Sequence, residues 1–129
     1  MAQIKIYGLQ ANLEQNREAI SNAIHSAVMS SLDYPKEKKF HRFISLDTDS
    51  FIYPDDRSEH YLIIEISMFE GRSTDAKKSL IRELFKNIND ATGISHQDLE
   101  ITLFETPKEN WGIRGLPGDE LVLGYKVEV

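Results

Sequence analysis

YLIIEISMFEGRSTDAKKSLIRELFKNI, residues 61–88, changes its period partway along. Leu62, Ile64, Ile66 and Met68 alternate with Ile63, Glu65, Ser67 and Phe69, the period of two that sets one apolar row on one face of a strand. Beyond Gly71, Leu80, Ile81, Leu84, Phe85 and Ile88 recur at helical spacing. Ser73 or Thr74 is placed to cap that helix, Asp75 falls in its first turn, and Gly93 can end it in left-handed geometry. Leu99, Ile101 and Leu103 then alternate as another strand. The face of the first strand that carries Ile63 and Phe69 is mixed, which predicts cover on that side from a further subunit.

The same order stands sixty residues earlier. IKIYGL, residues 4–9, alternates as a strand that begins almost at the first residue. Asn12 with Gln15 predicts a helix N-terminus of capping-box type. Leu13, Ile20, Ile24, Ala27, Val28 and Leu32 follow at helical spacing, and Pro35 marks the stop. In KFHRFISLD, residues 39–47, Phe40, Ile44 and Leu46 share one face of a second strand, interrupted by Arg42. Under the shift, Ile4 falls on Ile64, Ile6 on Ile66, Ile20 on Leu80, Ile24 on Leu84 and Val28 on Ile88. Dropping one loop residue sets Phe40 on Leu99 and Ile44 on Leu103.

The chain therefore reads as a single domain over residues 1–129: a repeat from about 3 to 46, a second from about 61 to 105, and a C-terminal extension over 106–129. The fold class is α+β. Each β-α-β unit has a long crossover, so its strands pair in parallel. Two units predict a four-stranded mixed sheet with both helices on one face, plus a C-terminal strand or hairpin. LVLGYKVEV, residues 121–129, reads as that strand and is expected to extend a neighbour's sheet. Phe51 to Tyr53, before Pro54, reads as a short edge strand. Two helices cover only one face, so oligomerisation is expected.

Composition narrows the function. A formal net charge of −6 gives nucleic-acid binding no electrostatic support. The basic run Lys36, Lys38 and Lys39 is interrupted by Glu37 and reads as a solvated loop. There is no cysteine, so disulfide and thiolate chemistry are excluded. His25, His41, His60 and His96 lack metal-ligand spacing, and no metal is expected. No stretch approaches a membrane span and no signal-peptide run is present, so a cytoplasmic location is expected.

EGRSTDAKKSLIRELF, residues 70–85, and ETPKENWGIRG, residues 105–115, together with the duplication, resemble the tautomerase superfamily, in particular its malonate semialdehyde decarboxylase-like branch. The resemblance spans Ile4 to about Gly118. It implies the macrophage migration inhibitory factor-like fold, a homotrimer, and proton-transfer chemistry without a cofactor. In the resembling family the initiator Met is removed and a terminal proline at the start of the first strand acts as base or acid. Here that position is Ala2, so the chain lacks the catalytic proline, and the primary amine of Ala2 is the candidate base. Arg72 stands where the resembling members hold a substrate carboxylate. Trp111 matches a tryptophan of the pocket wall. Arg42 and Arg114 are further candidates for binding an anion. Glu70 replaces a second arginine and Lys38 an acid, which argues against decarboxylation or hydration. The resemblance implies a tautomerase-like isomerase acting on a small enolisable carboxylate. The alternatives are a non-catalytic trimer that binds a small anionic ligand, or an enzyme whose base is His41 or Glu65.

Overall fold

Alternating apolar residues and two amphipathic helices build one core. In the computed structural model, which describes residues 1–129, the chain runs β1 (Ala2–Leu9), α1 (Gln10–Leu32), β2 (His41–Leu46), β3 (Leu62–Phe69), α2 (Thr74–Thr92), β4 (Leu99–Thr106) and a small hairpin of β5 (Gly112–Ile113) and β6 (Leu116–Pro117). The four long strands form one sheet in the order β2-β1-β3-β4. Pairing is parallel within each β-α-β unit and antiparallel between β1 and β3. Ile4 and Ile6 of β1 and Leu62, Ile64, Ile66 and Met68 of β3 join Leu13, Ile20, Ile24 and Val28 of α1 and Leu80, Leu84 and Ile88 of α2 in a single buried cluster. No helix is long and apolar enough to cross a membrane.

The registers carry the duplication further than the sequence reading did. Ile4 pairs with His41 and Ile64 with Ile101, so the second strands also correspond at a shift of sixty, with no residue dropped. Aligning Phe40 with Leu99 and Ile44 with Leu103 is therefore wrong by one residue, and one residue exchanges the two faces of a strand. His41 and Phe43 face the helices, and Ser45 on the same side is exposed. Phe40, Arg42, Ile44 and Leu46 lie on the opposite face, where Phe40 is 43% exposed. Lys5 and Glu65, equivalent under the shift, are also each other's register partners, so a local twofold axis passes between them.

Three local expectations change. α1 starts at Gln10, with Leu9 as an N-cap that makes no side-chain bond. Asn12 is not the cap: it is buried within the first turn, where its Nδ2 donates to the carbonyl of His60 and its Oδ1 accepts from Asn16. Phe51–Tyr53 is not a strand. Its rings instead gather with Tyr61 in a cluster of three, with centroids 5.2–5.4 Å apart. Residues 121–129 form no strand, and they fold back over the start of β1 of their own chain. The C-terminal hairpin is made by β5 and β6, whose turn residues Arg114 and Gly115 both have positive φ, 50° and 86°, as a tight primed hairpin turn requires.

Candidate active site

The site forms where the start of β1, the end of β3 and the C-terminal tail meet. Ala2 and Met68 are register partners, and the amide of Phe69 donates to the carbonyl of Met1 at 3.3 Å. The chain's first nitrogen is thereby held beside the turn that leaves β3. Gly71 makes that turn at φ 130°, a conformation that L side chains rarely adopt. Arg72 follows, and Ser73 then caps α2 by accepting from the amide of Ala76 at 3.1 Å.

Arg72 is only 5% exposed. One terminal nitrogen, Nη1, donates to the carbonyl of Phe69 at 3.1 Å. Its Nε and Nη2 are buried without a hydrogen-bond partner. A guanidinium has five donors in a planar fork, and leaving two of its nitrogens unpaired in an interior is unfavourable. Burial lowers its pKa, while the hydroxyls of Tyr125 and Tyr34 and the carboxylate of Glu105 act in the opposite direction.

The nitrogen of Met1 donates to the hydroxyl of Tyr125, and the amide of Ala2 donates to the hydroxyl of Tyr34 at 3.1 Å. The two tyrosine rings meet edge to face, with centroids 5.0 Å apart. Burial, then the positive charges of Arg72, Lys108 and Lys38, bring the amine of Met1 down from 8.0 to about 4. Burial raises both tyrosines above their ordinary range. With that value the amine of Met1 is neutral at pH 7 and carries a lone pair.

Apolar walls surround it. Met1, Phe69 and Val127 form a buried cluster, with Trp111, Ile113, Leu123 and Tyr125 packed on it. The Trp111 ring stands edge-on to Phe69 at 5.2 Å, and its Nε1 donates to Thr106 Oγ1 at 2.7 Å. The tail is tied down at its end, where the carbonyl of Val129 accepts from the amide of Ser73 at 2.9 Å.

Of the residues singled out in the sequence, the structure brings together Ala2, Arg72 and Trp111. Arg42 is exposed on the sheet face away from the helices, 3.3 Å from Gln3 Oε1. Arg114 is exposed in the hairpin turn and makes none of the bonds around the amine. Glu65 lies beside Lys5 at 4.0 Å, and His41 lies under α1, bonded to Ser21 Oγ at 2.7 Å. The sequence reading missed Tyr34, Tyr125 and Phe69. Tyr34 follows the end of α1 just before Pro35, and Tyr125 is the one aromatic residue of the tail. Neither position stands out until the tail is seen to fold back.

A family model described as "Tautomerase enzyme" matches residues 38–114. The 2-hydroxymuconate tautomerase of Comamonas testosteroni is 37% identical over 57 residues, which are 44% of this chain and 90% of that protein. It is thus covered by about one β-α-β unit of the pair found here. The probable tautomerase YusQ of Bacillus subtilis (strain 168) is 22% identical over 99 residues, 73% of this chain and 78% of that one. Among solved structures, a malonate semialdehyde decarboxylase superposes with a TM-score of 0.81 at 18% identity, covering 93% of this chain and 99% of that chain. A fused 4-OT described as a symmetric trimer gives 0.78 at 19% identity, covering 91% and 96%. The fold is shared with those structures, and the family match spans more than half of the sequence, so this chain belongs to the tautomerase family.

Proposed function

We propose that the protein is a tautomerase-like isomerase acting on a small enolisable carboxylate. The observation that carries this reading is the buried Arg72, with Nε and Nη2 unpaired beside the chain's first nitrogen. Two free donors in one guanidinium plane match the two oxygens of a carboxylate. With Met1 removed, as a Met-Ala start permits, the nitrogen of Ala2 becomes a terminal amine in the same apolar, cationic surroundings. Its lone pair carries a proton between the carbon α to a carbonyl and the enol oxygen. Trp111 and Phe69 supply the apolar wall, and the space that the Met1 side chain fills becomes room for substrate. Enolisation moves only protons, so an oriented base and a carboxylate clamp suffice. Glu70 in place of a second arginine, and Lys38 in place of an acid, favour isomerisation over decarboxylation or hydration.

Trimerisation belongs to the same proposal. The sheet face away from the helices carries Phe40, Ile44 and Phe104, with Phe104 46% exposed, and a homotrimer would cover it. Arg42 on that face, and Arg114 in the hairpin, would then serve as anion contacts from a neighbouring subunit. Alanine at position 2 favours one further reading, a trimer that binds a small anion without turning it over.

The test is ketonisation of the enol of an arylpyruvate, followed by absorbance on protein shown by intact mass to lack Met1. Activity that disappears on acetylation of the Ala2 amine supports the proposal. Activity that survives acetylation places the base elsewhere. Saturable binding of the carboxylate without ketonisation supports the anion-binding reading.

A further inference from the structure

A terminal alanine presents a primary amine that turns freely about its N–Cα bond, so something must aim it. This inference rests on the proposed role of the Ala2 nitrogen and adds a residue to it. Tyr34 is 5% exposed. It sits directly after Asp33, whose left-handed φ of 51° closes α1, and its own amide donates to the carbonyl of Met29 at 3.3 Å. The ring of Tyr125 packs against it edge to face. Its hydroxyl is therefore fixed by the helix end and by the tail, and lies 3.1 Å from the Ala2 nitrogen.

Three directions matter at that nitrogen: Cα, the hydrogen aimed at Tyr34, and the carbonyl carbon of Met1. Met1 leads toward Phe69, Val127 and Trp111. When Met1 is removed the nitrogen becomes tetrahedral: the hydrogen bonded to Tyr34 keeps its direction, and the new second hydrogen and the lone pair take the two directions on the vacated side. We infer that Tyr34 is a positioning residue: its hydroxyl accepts one N–H of the Ala2 amine and so turns the lone pair toward the apolar cage next to Arg72. No proton leaves Tyr34 in this arrangement. In enolisation the amine nitrogen takes the proton from the substrate carbon, the C–H bonding pair passes into the enolate, and the ammonium then gives that proton to the enolate oxygen; ketonisation runs the same steps in reverse.

Tyr34→Phe keeps the ring and its packing and removes only the hydroxyl. Two measurements on Met1-free protein separate this inference from the function on which it rests. The first needs no turnover: the rate at which cyanate carbamoylates the Ala2 amine at fixed pH. With its lone pair no longer aimed at the cavity, the amine of the Tyr34→Phe protein is expected to react roughly three- to tenfold more slowly, the scale of one hydrogen bond. An unchanged rate overturns the inference.

The second is a double-mutant cycle with Ala2→Pro, whose ring fixes the nitrogen covalently. With an arylpyruvate enol, Tyr34→Phe should lower kcat about tenfold at unchanged KM when residue 2 is alanine, and by less than about twofold when it is proline. Equal losses in both backgrounds would make Tyr34 merely structural and overturn the inference while leaving the isomerase intact. Slower carbamoylation with no ketonisation by any protein would retain the positioning role and remove the isomerase.

Discussion

Replacing Arg72 by methionine should make the protein more stable and abolish its affinity for carboxylates. The guanidinium is 5% exposed and donates one well-formed hydrogen bond, to the carbonyl of Phe69, with the Tyr125 hydroxyl close by. Its unpaired Nε and Nη2 are each worth about 1–3 kcal/mol of unfavourable desolvation. Against that stands the loss of one charge-assisted hydrogen bond, about 1.5–3 kcal/mol. Methionine fills similar volume with no polar group to desolvate. The balance favours Arg72→Met by about 1–3 kcal/mol, which at this chain length corresponds to a rise in Tm of about 4–12 °C. Urea denaturation with an unchanged m-value measures the difference directly. In parallel, an arylpyruvate at a hundred times its Kd should stabilise the original protein by about 2.7 kcal/mol and leave the variant unmoved. A variant less stable than the parent would show that Arg72 is a structural tie. A variant that still binds the carboxylate would remove it from the site.

Gly71→Ala must hold a Cβ at φ 130° with Val127 Cγ1 only 3.1 Å away, so a loss of about 1–3 kcal/mol is expected. Gly93→Ala, at φ 76° with open space around it, should lose less, and urea midpoints give the order. Asp98 is 6% exposed and accepts from the amide and the hydroxyl of Ser58. Asp98→Ala should therefore cost about 1–3 kcal/mol in thermal unfolding, by leaving the Ser58 amide unpaired. Burial, then Lys39 and His25, bring His41 down from 6.5 to about 4. The unfolded chain then binds one more proton than the folded chain between those values, so stability is full above pH 6.5 and falls as the pH drops toward 4. Allowing for partial exposure, that loss is about 1–2 kcal/mol, and His41→Gln should flatten it in a pH series of denaturation midpoints.

The sequence was most legible where one physical rule acts alone. Alternation in 62–69 and helical spacing in 80–88 have a single solution, and both elements form as their periods require. It was least legible on β2, where Phe40, Ile44 and Leu46 look like a core row. They lie on the sheet face that no helix covers, while His41 and Phe43 stand on the helix side, beside Ile4 and Ile6. An apolar row marks a face that is to be buried, without saying whether the burial happens inside the chain or between chains. The N-cap of α1 was misplaced for a related reason: Asn12 can bond a helix end or a distant carbonyl, and the carbonyl of His60 comes near only after folding. Arg72 and Trp111 could be picked out because they stand in recognisable strings. Tyr34 and Tyr125 join the site across separations of 32 and 124 residues, which no local pattern records.

The duplication also explains why the proposal places one such site in each chain rather than two. Under the sixty-residue shift, Arg72 corresponds to Asn12, Met1 to Tyr61 and Trp111 to Phe51. Both ends of the local twofold thus carry a buried polar residue beside an apolar plug, and the two ends differ in how that residue is paired. Asn12 is 3% exposed, and both ends of its amide are bonded, to the His60 carbonyl and to Asn16. Tyr61 is wedged between Phe51 and Tyr53 in mid-chain, where no removal of a residue can open the space. At the other end, Arg72 is charged and has two nitrogens left over, and the plug is the first residue of the chain. A polar group that is buried and satisfied holds a fold together, whereas one that is buried and unsatisfied is unfavourable until something binds. The asymmetry between Asn12 and Arg72 is the physical reason to place the chemistry at the beginning of β1.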